Sequence, residues 1–174
     1  NNDDDDDDQL YEVATFAGGC FWGTELHFQR IPGVVATCVG YTQGDIPKPN
    51  YEQVCTGQTG HTEGIQLLFQ PQQCTYQSLV RKLMSTIPDP TLLNQVGNDR
   101  GTQYRHGIYF HSEEQKEAAK QILGEYEGRV DGSIATELLP AKVFWPAENY
   151  HQRYLEKGGQ SAEKDASEKV RCYG

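Results

Sequence analysis

Short β-prone runs and helix-like stretches follow one another along this chain. Runs rich in β-branched and aromatic residues predict five strands. These strands fall at 11–17, 34–41, 64–69, 108–110 and 134–139. Apolar residues at helical spacing, with capping and breaking residues beside them, predict four helices. These helices fall at 20–30, 76–87, 112–126 and 146–157. The order β-α-β-β-α-β-α-β-α favours a two-layer α+β sandwich of the split βαβ kind.

Three stretches show neither periodicity. The stretch from Thr42 to His61 holds several Gly and Pro residues and predicts a long loop, which in a compact domain is usually functional. The stretch from Gly97 to Arg105 is polar and begins at a glycine. From Gly158 onward the composition predicts an extended or mobile tail. The expected organisation is an acidic disordered tail at 1–9, a folded domain at 10–157 and a mobile C-terminal tail at 158–174.

Composition excludes several functional classes. The 174 residues suit one domain, and the net charge of −10 includes six consecutive acids from Asp3 to Asp8. Because no basic face is available to neutralise phosphates, we expect no nucleic-acid partner. No apolar stretch approaches the roughly 20 residues that span a bilayer, so we expect no membrane association.

The cysteines indicate the redox environment. Their odd number, with Cys20, Cys38, Cys55, Cys74 and Cys172, argues against a full disulfide framework. No C-x-x-C spacing points to a zinc site, and we expect neither a metal nor a bound cofactor. One or two reactive thiols in a reducing intracellular compartment, the cytoplasm or a plastid, fit best. We also expect a monomer.

The segment G-G-C-F-W-G places Cys20 between the first strand and the first helix. Free N–H groups and the helix dipole at that position favour a thiolate, which is the nucleophilic form. Phe21 and Trp22 could form an apolar wall beside it. A structural cysteine at a tight turn, with core aromatics, explains the local pattern equally well.

Two polar segments favour the chemical interpretation of Cys20. Glu63 stands at the start of a predicted strand, directly after the long loop that also contains Tyr51. The polar stretch from Gly97 to Arg105, which includes Asp99, lacks hydrophobic periodicity and is therefore unlikely to serve packing.

Taken together, the motifs G-C-F-W-G, T-G-H-T-E, G-N-D-R-G-T-Q-Y-R and A-E-N-Y-H-Q resemble those of type A peptide methionine sulfoxide reductases. The resemblance runs from about Thr15 to Tyr154 and resumes at the terminal R-C-Y-G. It implies a ferredoxin-like sandwich, with the catalytic domain at 10–157. The implied reaction reduces methionine-S-sulfoxide, free or in oxidised proteins, and so repairs oxidative damage.

The resemblance also implies roles for individual residues. Cys20 would be the nucleophile and Glu63 the proton donor, while Tyr51 and Tyr104 would hydrogen-bond the sulfoxide oxygen. Five further positions match the family's substrate pocket or its helical pattern. Asp99 would help to hold the substrate, Phe21 and Trp22 would take its ε-methyl group, and His151 with Tyr154 would act directly or only hold a helix.

The implied cycle needs a second thiol. Attack on the sulfoxide leaves Cys20 as a sulfenic acid, which a second cysteine converts to a disulfide. We expect Cys172 in the tail to be this resolving cysteine, with Cys74 as its rival. Many relatives carry another tail cysteine where this chain has Ala166, so no relay through two tail thiols is available. Thioredoxin is the expected reductant, with glutathione and glutaredoxin or dithiothreitol as alternatives.

Two other functions compete with this one. Cys20 with His61, His106 or His151 could form a Cys-His acyl-transfer hydrolase, although no papain-type signature flanks the cysteine. A non-enzymatic binding module with a structural Cys20 would leave the polar segment from 97 to 105 unexplained.

Overall fold

The computed structural model describes residues 10–172, so the acidic run expected to form a disordered tail at 1–9 lies outside the described residues. Eight strands and five α-helices are present in that range. The strands are β1 Glu12–Ala17, β2 Val34–Thr42, β3 Thr62–Phe69, β4 Gln95–Val96, β5 Asp99–Arg100, β6 Gly107–Phe110, β7 Glu137–Pro140 and β8 Trp145–Pro146. The helices are α1 Phe21–Gln29, α2 Tyr51–Cys55, α3 Tyr76–Ser85, α4 Glu113–Glu127 and α5 Tyr154–Lys157.

Six strands form one sheet in the order β7-β6-β1-β3-β2-β8. Its four central strands, β6-β1-β3-β2, pair antiparallel and come from a β-α-β-β-α-β unit, which is the ferredoxin-like order. Only β7 pairs parallel, beside β6. The predicted α+β sandwich is therefore confirmed.

The central sheet is covered by helices on one face, because apolar side chains recur there at the right period. On α3 the fully buried side chains include Leu79, Val80 and Leu83, which lie at helical spacing. The ring of Phe16 on β1 stacks on Phe28 of α1 at 5.3 Å between centroids. The helices α1, α3 and α4 thus share one hydrophobic core with the central strands of the sheet.

The prediction of a continuous loop from 42 to 61 is wrong at α2. Asn50 and Gln53 form a reciprocal cap: the Asn50 side chain accepts from the Gln53 N–H at 2.9 Å, and the Gln53 side chain accepts from the Asn50 N–H at 3.0 Å. This cap satisfies N–H groups that a short helix otherwise leaves free. It starts the helix at Tyr51, inside a stretch dominated by glycines and prolines.

The single helix predicted at 146–157 is also wrong. The segment contains the end of β8, a 3-10 turn at Asn149–His151 and the short α5. Arg153 breaks the helix by adopting a left-handed backbone with φ 52°, which lets its N–H donate to the buried Glu25 carboxylate at 2.6 Å. The contact with α1 therefore outweighs local helix propensity.

Residues 158–172, called the C-terminal tail below, contain no helix or strand and lie along α1. The buried Arg30 donates from Nε to the Ser161 carbonyl at 2.8 Å and from Nη1 to the Glu168 carbonyl at 2.6 Å. Lys164 Nζ donates to the carbonyls of Gln29 and Val34, at the C-terminal end of α1. The tail is thus irregular and attached to α1 by polar contacts, and its mobility stays a prediction.

An open cavity of about 750 Å³ lies between α1, α3 and the tail. Side chains of His27, Lys82 and Glu168 line it. The tail is therefore held to the domain at a few polar points, with no continuous apolar contact along this stretch.

Arg30→Ala should loosen the tail without unfolding the domain. Hydrogen bonds from a charged group contribute roughly 1.5–3 kcal/mol, so tail amides should exchange with solvent at least about tenfold faster. Hydrogen exchange of the peptide 160–171, read by mass spectrometry, measures this. Arg81→Ala, which removes an exposed pair with Glu125, is the matched control. Unchanged exchange in the Arg30 variant would contradict the clamp.

Candidate active site

The first turn of α1 presents three N–H groups that have no partner within the helix. Phe21 N–H donates to Glu63 Oε1 at 3.2 Å. The Trp22 N–H faces the Cys20 sulfur and the Gly23 N–H faces the Cys172 sulfur, and each lowers the pKa of the thiol it faces. Three consecutive backbone donors therefore hold a carboxyl group and two thiols at one helix end.

Cys20 reaches this position through a glycine turn. β1 ends at Ala17, and Gly19 has φ 85°, a left-handed conformation that side chains disfavour. A Cβ at Gly19 would also lie 2.7 Å from Cβ of Val96 on β4. The turn places Cys20 as the N-cap residue of α1 and brings the β4–β5 hairpin against it.

Glu63 on β3 is 2% exposed. Burial raises the pKa of its carboxyl group to about 8, the Phe21 N–H opposes that shift, and the negative charge of Asp99 adds to it. Glu63 consequently keeps its proton at neutral pH. A buried carboxylic acid in this state can donate a proton to a bound oxygen.

The thiols of Cys20 and Cys172 lie beside each other and interact. This interaction raises the pKa of Cys20, and burial and the Glu63 charge raise it further, while the Trp22 N–H lowers it. The same interaction lowers the pKa of Cys172, with help from the Gly23 N–H. The expectation that the helix end favours a thiolate at Cys20 stays a prediction, since the Trp22 N–H acts in that direction and the contact with Cys172 acts against it.

Two phenols stand near the acid and the thiols. Tyr51 begins α2 and is hydrogen-bonded through its hydroxyl to the Cys55 thiol, which together with burial raises its pKa. Tyr104 ends the 3-10 turn Thr102–Tyr104, and burial followed by the Glu63 charge raises its pKa. Both phenols remain protonated at neutral pH and can donate hydrogen bonds.

Aromatic rings form one wall of the site. Trp22 stacks on Tyr154 at 3.9 Å between centroids, and its Nε1–H donates to Nδ1 of the buried His151 at 2.9 Å. The Phe21 ring lies 5.0 Å from the His151 ring, and the Tyr51 ring lies 4.7 Å from it. Burial lowers the pKa of His151, so a neutral imidazole orients the indole.

Asp99 is placed differently from the other expected residues. It is exposed on β5, and its charge raises the pKa of both Glu63 and Cys172. Its influence on the site is therefore electrostatic.

Sequence reasoning missed two residues at the site. Glu148 accepts from the Tyr41 hydroxyl at 2.9 Å and from the Tyr51 N–H at 3.1 Å, which ties α2 to the turn that carries His151. Burial raises the pKa of Glu148, but these hydrogen bonds and one from its own N–H leave it below the ordinary value. Cys55 was missed as the partner of Tyr51. Glu148 lies inside the A-E-N-Y-H-Q motif, which was its only signal.

The other histidines are engaged elsewhere. His61 accepts from the Gly44 N–H at Nδ1, and its Nε2 bonds the Ile46 carbonyl at 2.7 Å. His106 bonds Thr136 and the Leu92 carbonyl. Neither has a ring nitrogen left to serve as a base for Cys20.

Cys74 and Cys38 lie away from the two thiols. Cys74 is buried against Gly33, beyond the C-terminal end of α1, whereas Cys20 stands at its N-terminal end. The nine residues of α1 separate them by roughly 13 Å. Cys38 lies in β2 and donates to the Val39 carbonyl.

Fold and site together define a thiol-based oxidoreductase. The family model for peptide methionine sulfoxide reductase matches residues 12–171. Rice peptide methionine sulfoxide reductase A2-1 is 51% identical over 163 residues, covering 94% of this chain and 87% of the relative. The chain belongs to the peptide methionine sulfoxide reductase family, type A, and reduces methionine sulfoxide.

Solved structures agree with this assignment. Methionine sulfoxide reductase A of Corynebacterium diphtheriae superposes with a TM-score of 0.81 at 38% identity, covering 93% of this chain and 82% of that one. Saccharomyces cerevisiae Mxr1 in complex with Trx2 gives 0.59 at 25% identity, covering 85% and 87%. Family membership decides against the hydrolase and the binding module.

No helix among residues 10–172 is long and apolar enough to cross a membrane. Within the same residues, no group of three or more His, Cys, Asp or Glu side chains is arranged to hold a metal ion.

Glu63→Gln should stabilise the fold at neutral pH. The folded pKa of about 8 exceeds the ordinary 4.5, so between these values the unfolded chain releases a proton that the folded chain retains. Wild-type stability therefore falls as pH rises through this window. The Gln variant should gain up to about 3 kcal/mol at pH 7, and the gain should vanish at about pH 4.5 and below. Urea unfolding across pH measures this.

The matched control is Glu127→Gln, which changes an exposed carboxylate at the end of α4. It should show no comparable pH-dependent gain. A Glu63→Gln protein that is equally stable as the wild type at pH 7 and at pH 4 would refute the buried neutral acid.

Proposed function

We propose that Cys20 attacks the sulfur of methionine sulfoxide while Glu63 delivers a proton to its oxygen, and that Cys172 then resolves the intermediate. The observation that carries this assignment is the row of N–H groups on α1: Phe21 N–H donates to Glu63, while those of Trp22 and Gly23 face the sulfurs of Cys20 and Cys172. Acid, nucleophile and second thiol are supported side by side.

The protonation of Glu63 supports the first step. A sulfoxide becomes a good electrophile when its oxygen is protonated or strongly hydrogen-bonded. With a pKa of about 8, Glu63 holds a proton at pH 7 and becomes a stronger acid as soon as it is better solvated. Tyr51 and Tyr104 would donate to the same oxygen as neutral phenols.

The pocket residues would select the substrate. Phe21 and Trp22 present the apolar wall for the ε-methyl group, His151 holds the indole, and the charge of Asp99 adds to the burial that keeps Glu63 protonated. Because the phenols and Glu63 fix the oxygen and the rings fix the methyl group, only one epimer should fit, and the family resemblance implies that it is the S form.

The atoms balance over the cycle. The sulfoxide oxygen passes to Cys20, which leaves methionine and a sulfenic acid. The Cys172 thiol condenses with that sulfenic acid, forming the disulfide and releasing water. An external dithiol then reduces the disulfide and is itself oxidised.

Thioredoxin is the proposed external dithiol. The similar yeast protein has been solved in complex with the thioredoxin Trx2, and here Cys172 is an exposed residue that such a partner can reach. Glutathione with glutaredoxin, or dithiothreitol, are the alternatives. We further propose a monomer without bound cofactor, with its catalytic domain at 10–157 and a tail at 158–174 that moves during the cycle. All five cysteines are free, which suits a reducing compartment such as the cytoplasm or a plastid.

Glu63→Gln should slow the methionine-forming step about 10²–10⁴-fold, because the general acid is lost. The wild-type rate should fall above about pH 8 as Glu63 ionises, and the variant should lack that decline. Quenched-flow single turnovers with dabsyl-methionine-S-sulfoxide measure both, with the R epimer as the inactive substrate and Cys20→Ser as the inactive enzyme. Turnover by Cys20→Ser, or an effect of Glu63→Gln on apparent affinity alone, would overturn these roles.

Cys172→Ser should trap the sulfenic acid. Wild-type enzyme should lose two thiols per methionine formed, whereas the variant should accumulate a dimedone-reactive Cys20 and lose thioredoxin-supported cycling. Cys74→Ser is the matched control and should behave as wild type, since Cys74 is buried at the other end of α1. Normal disulfide closure in Cys172→Ser, together with failure in Cys74→Ser, would transfer the role to Cys74.

A further inference from the structure

Gly23 occupies an unexpected position for a glycine. It lies in the first turn of α1, is buried, and has no left-handed backbone that would require glycine. A glycine inside a helix costs roughly 0.5–1 kcal/mol relative to alanine. Some contact must therefore compensate for the missing side chain.

The space where a Gly23 side chain would stand is filled by the tail. A Cβ built on Gly23 would overlap the Cys172 sulfur. The next nearest atoms are Cγ1 of Val170 at 3.8 Å and Cβ of Cys172 at 3.9 Å. Every one of these atoms belongs to the tail, so the domain itself leaves room for a methyl group.

Gly23 also supplies a polar contact. Its N–H faces the Cys172 sulfur and, in addition to the contact with Cys20, lowers the pKa of that thiol. Since a thiolate attacks a sulfenic acid faster than a thiol does, the same residue offers a place for the sulfur and stabilises its reactive form.

The path of the tail leads to this point. Arg30 and Lys164 attach the tail at the C-terminal end of α1. The Gln160 side chain pairs with both the N–H and the carbonyl of Arg171, directly before Cys172. The tail is thus closed into a loop whose end delivers the sulfur to the first turn of α1.

We propose that Gly23 is a positioning residue for the second chemical step, forming the seat in which Cys172 attacks the Cys20 sulfenic acid. The inference rests on the proposed function of Cys172. In the step, the sulfur–oxygen bond of Cys20 breaks and the disulfide bond forms. The departing hydroxide takes up the proton that Cys172 has released and leaves as water. The three atoms nearest the Gly23 Cβ position all belong to the tail, and none to Glu63.

The test is Gly23→Ala, followed in a single turnover without reductant. Methionine release reports the first step, and loss of free thiols together with dimedone labelling reports the second. The ratio of the second rate to the first should fall at least about tenfold, because the reacting sulfurs lose their alignment. An unchanged ratio, which includes an equal loss in both rates, would contradict the positioning role of Gly23.

Gly124→Ala is the matched control. Gly124 is an exposed glycine in α4 with no atom within 4 Å of its Cβ position, so the same substitution raises helix propensity without a steric effect. Both rates should match the wild type. Because the domain leaves room at Gly23, the Gly23→Ala protein should fold, and circular dichroism and thermal unfolding verify this.

Cys172→Ser separates the two proposals. If Cys172→Ser traps the sulfenic acid and Gly23→Ala does not slow disulfide formation, Cys172 is the resolving cysteine but Gly23 does not position it. If Cys172→Ser closes a disulfide normally, the resolving role itself fails and the seat fails with it. The double variant Gly23→Ala/Cys172→Ser should match Cys172→Ser in sulfenic-acid lifetime, and an additional effect would place Gly23 in another role.

Discussion

The proposed chemistry of this enzyme depends on the N–H groups at the start of α1 that have no partner within the helix. Every α-helix begins with donors that lack carbonyl partners, and most helices satisfy them with water or a capping side chain. Here the first three belong to Phe21, Trp22 and Gly23, and each supports a different chemical group. The spacing between acid and sulfurs is consequently fixed by helix geometry. The Gly18-Gly19 turn and the buried core beneath α1 keep that geometry in place.

The buried carboxyl group of Glu63 lowers the stability of the folded state at neutral pH. Glu63 is 2% exposed and is paired with no cation among residues 10–172, so it disfavours the folded state once the pH exceeds its ordinary pKa. The negative charge of the nearby Asp99 adds to this effect. A structural role would be met by a glutamine at position 63. A carboxylic acid that stays protonated at pH 7 instead fits the proposed role of proton donor.

The fold followed from periodicity, and the chemical residues from their motifs. What escaped prediction depends on contacts between distant segments. The helix break at Arg153 depends on a hydrogen bond to the distant, buried Glu25. The start of α2 depends on a side-chain cap, in a stretch whose glycines and prolines predict turns. The raised pKa of Cys20 could not be read from its helix position, because the Cys172 sulfur arrives from 152 residues further along the chain. Local patterns identify reactive groups, whereas their protonation depends on the assembled site.

The contact between Cys20 and Cys172 in the reduced protein has a consequence for oxidative stress. In the proposed mechanism, peroxide that reaches Cys20 forms the same sulfenic acid as the substrate does, and continued exposure carries an isolated sulfenic acid irreversibly to the sulfinic and sulfonic forms. A thiol that already lies beside Cys20 would convert this sulfenic acid to a disulfide first. The docked tail would thus limit irreversible oxidation of the thiol that carries out the repair.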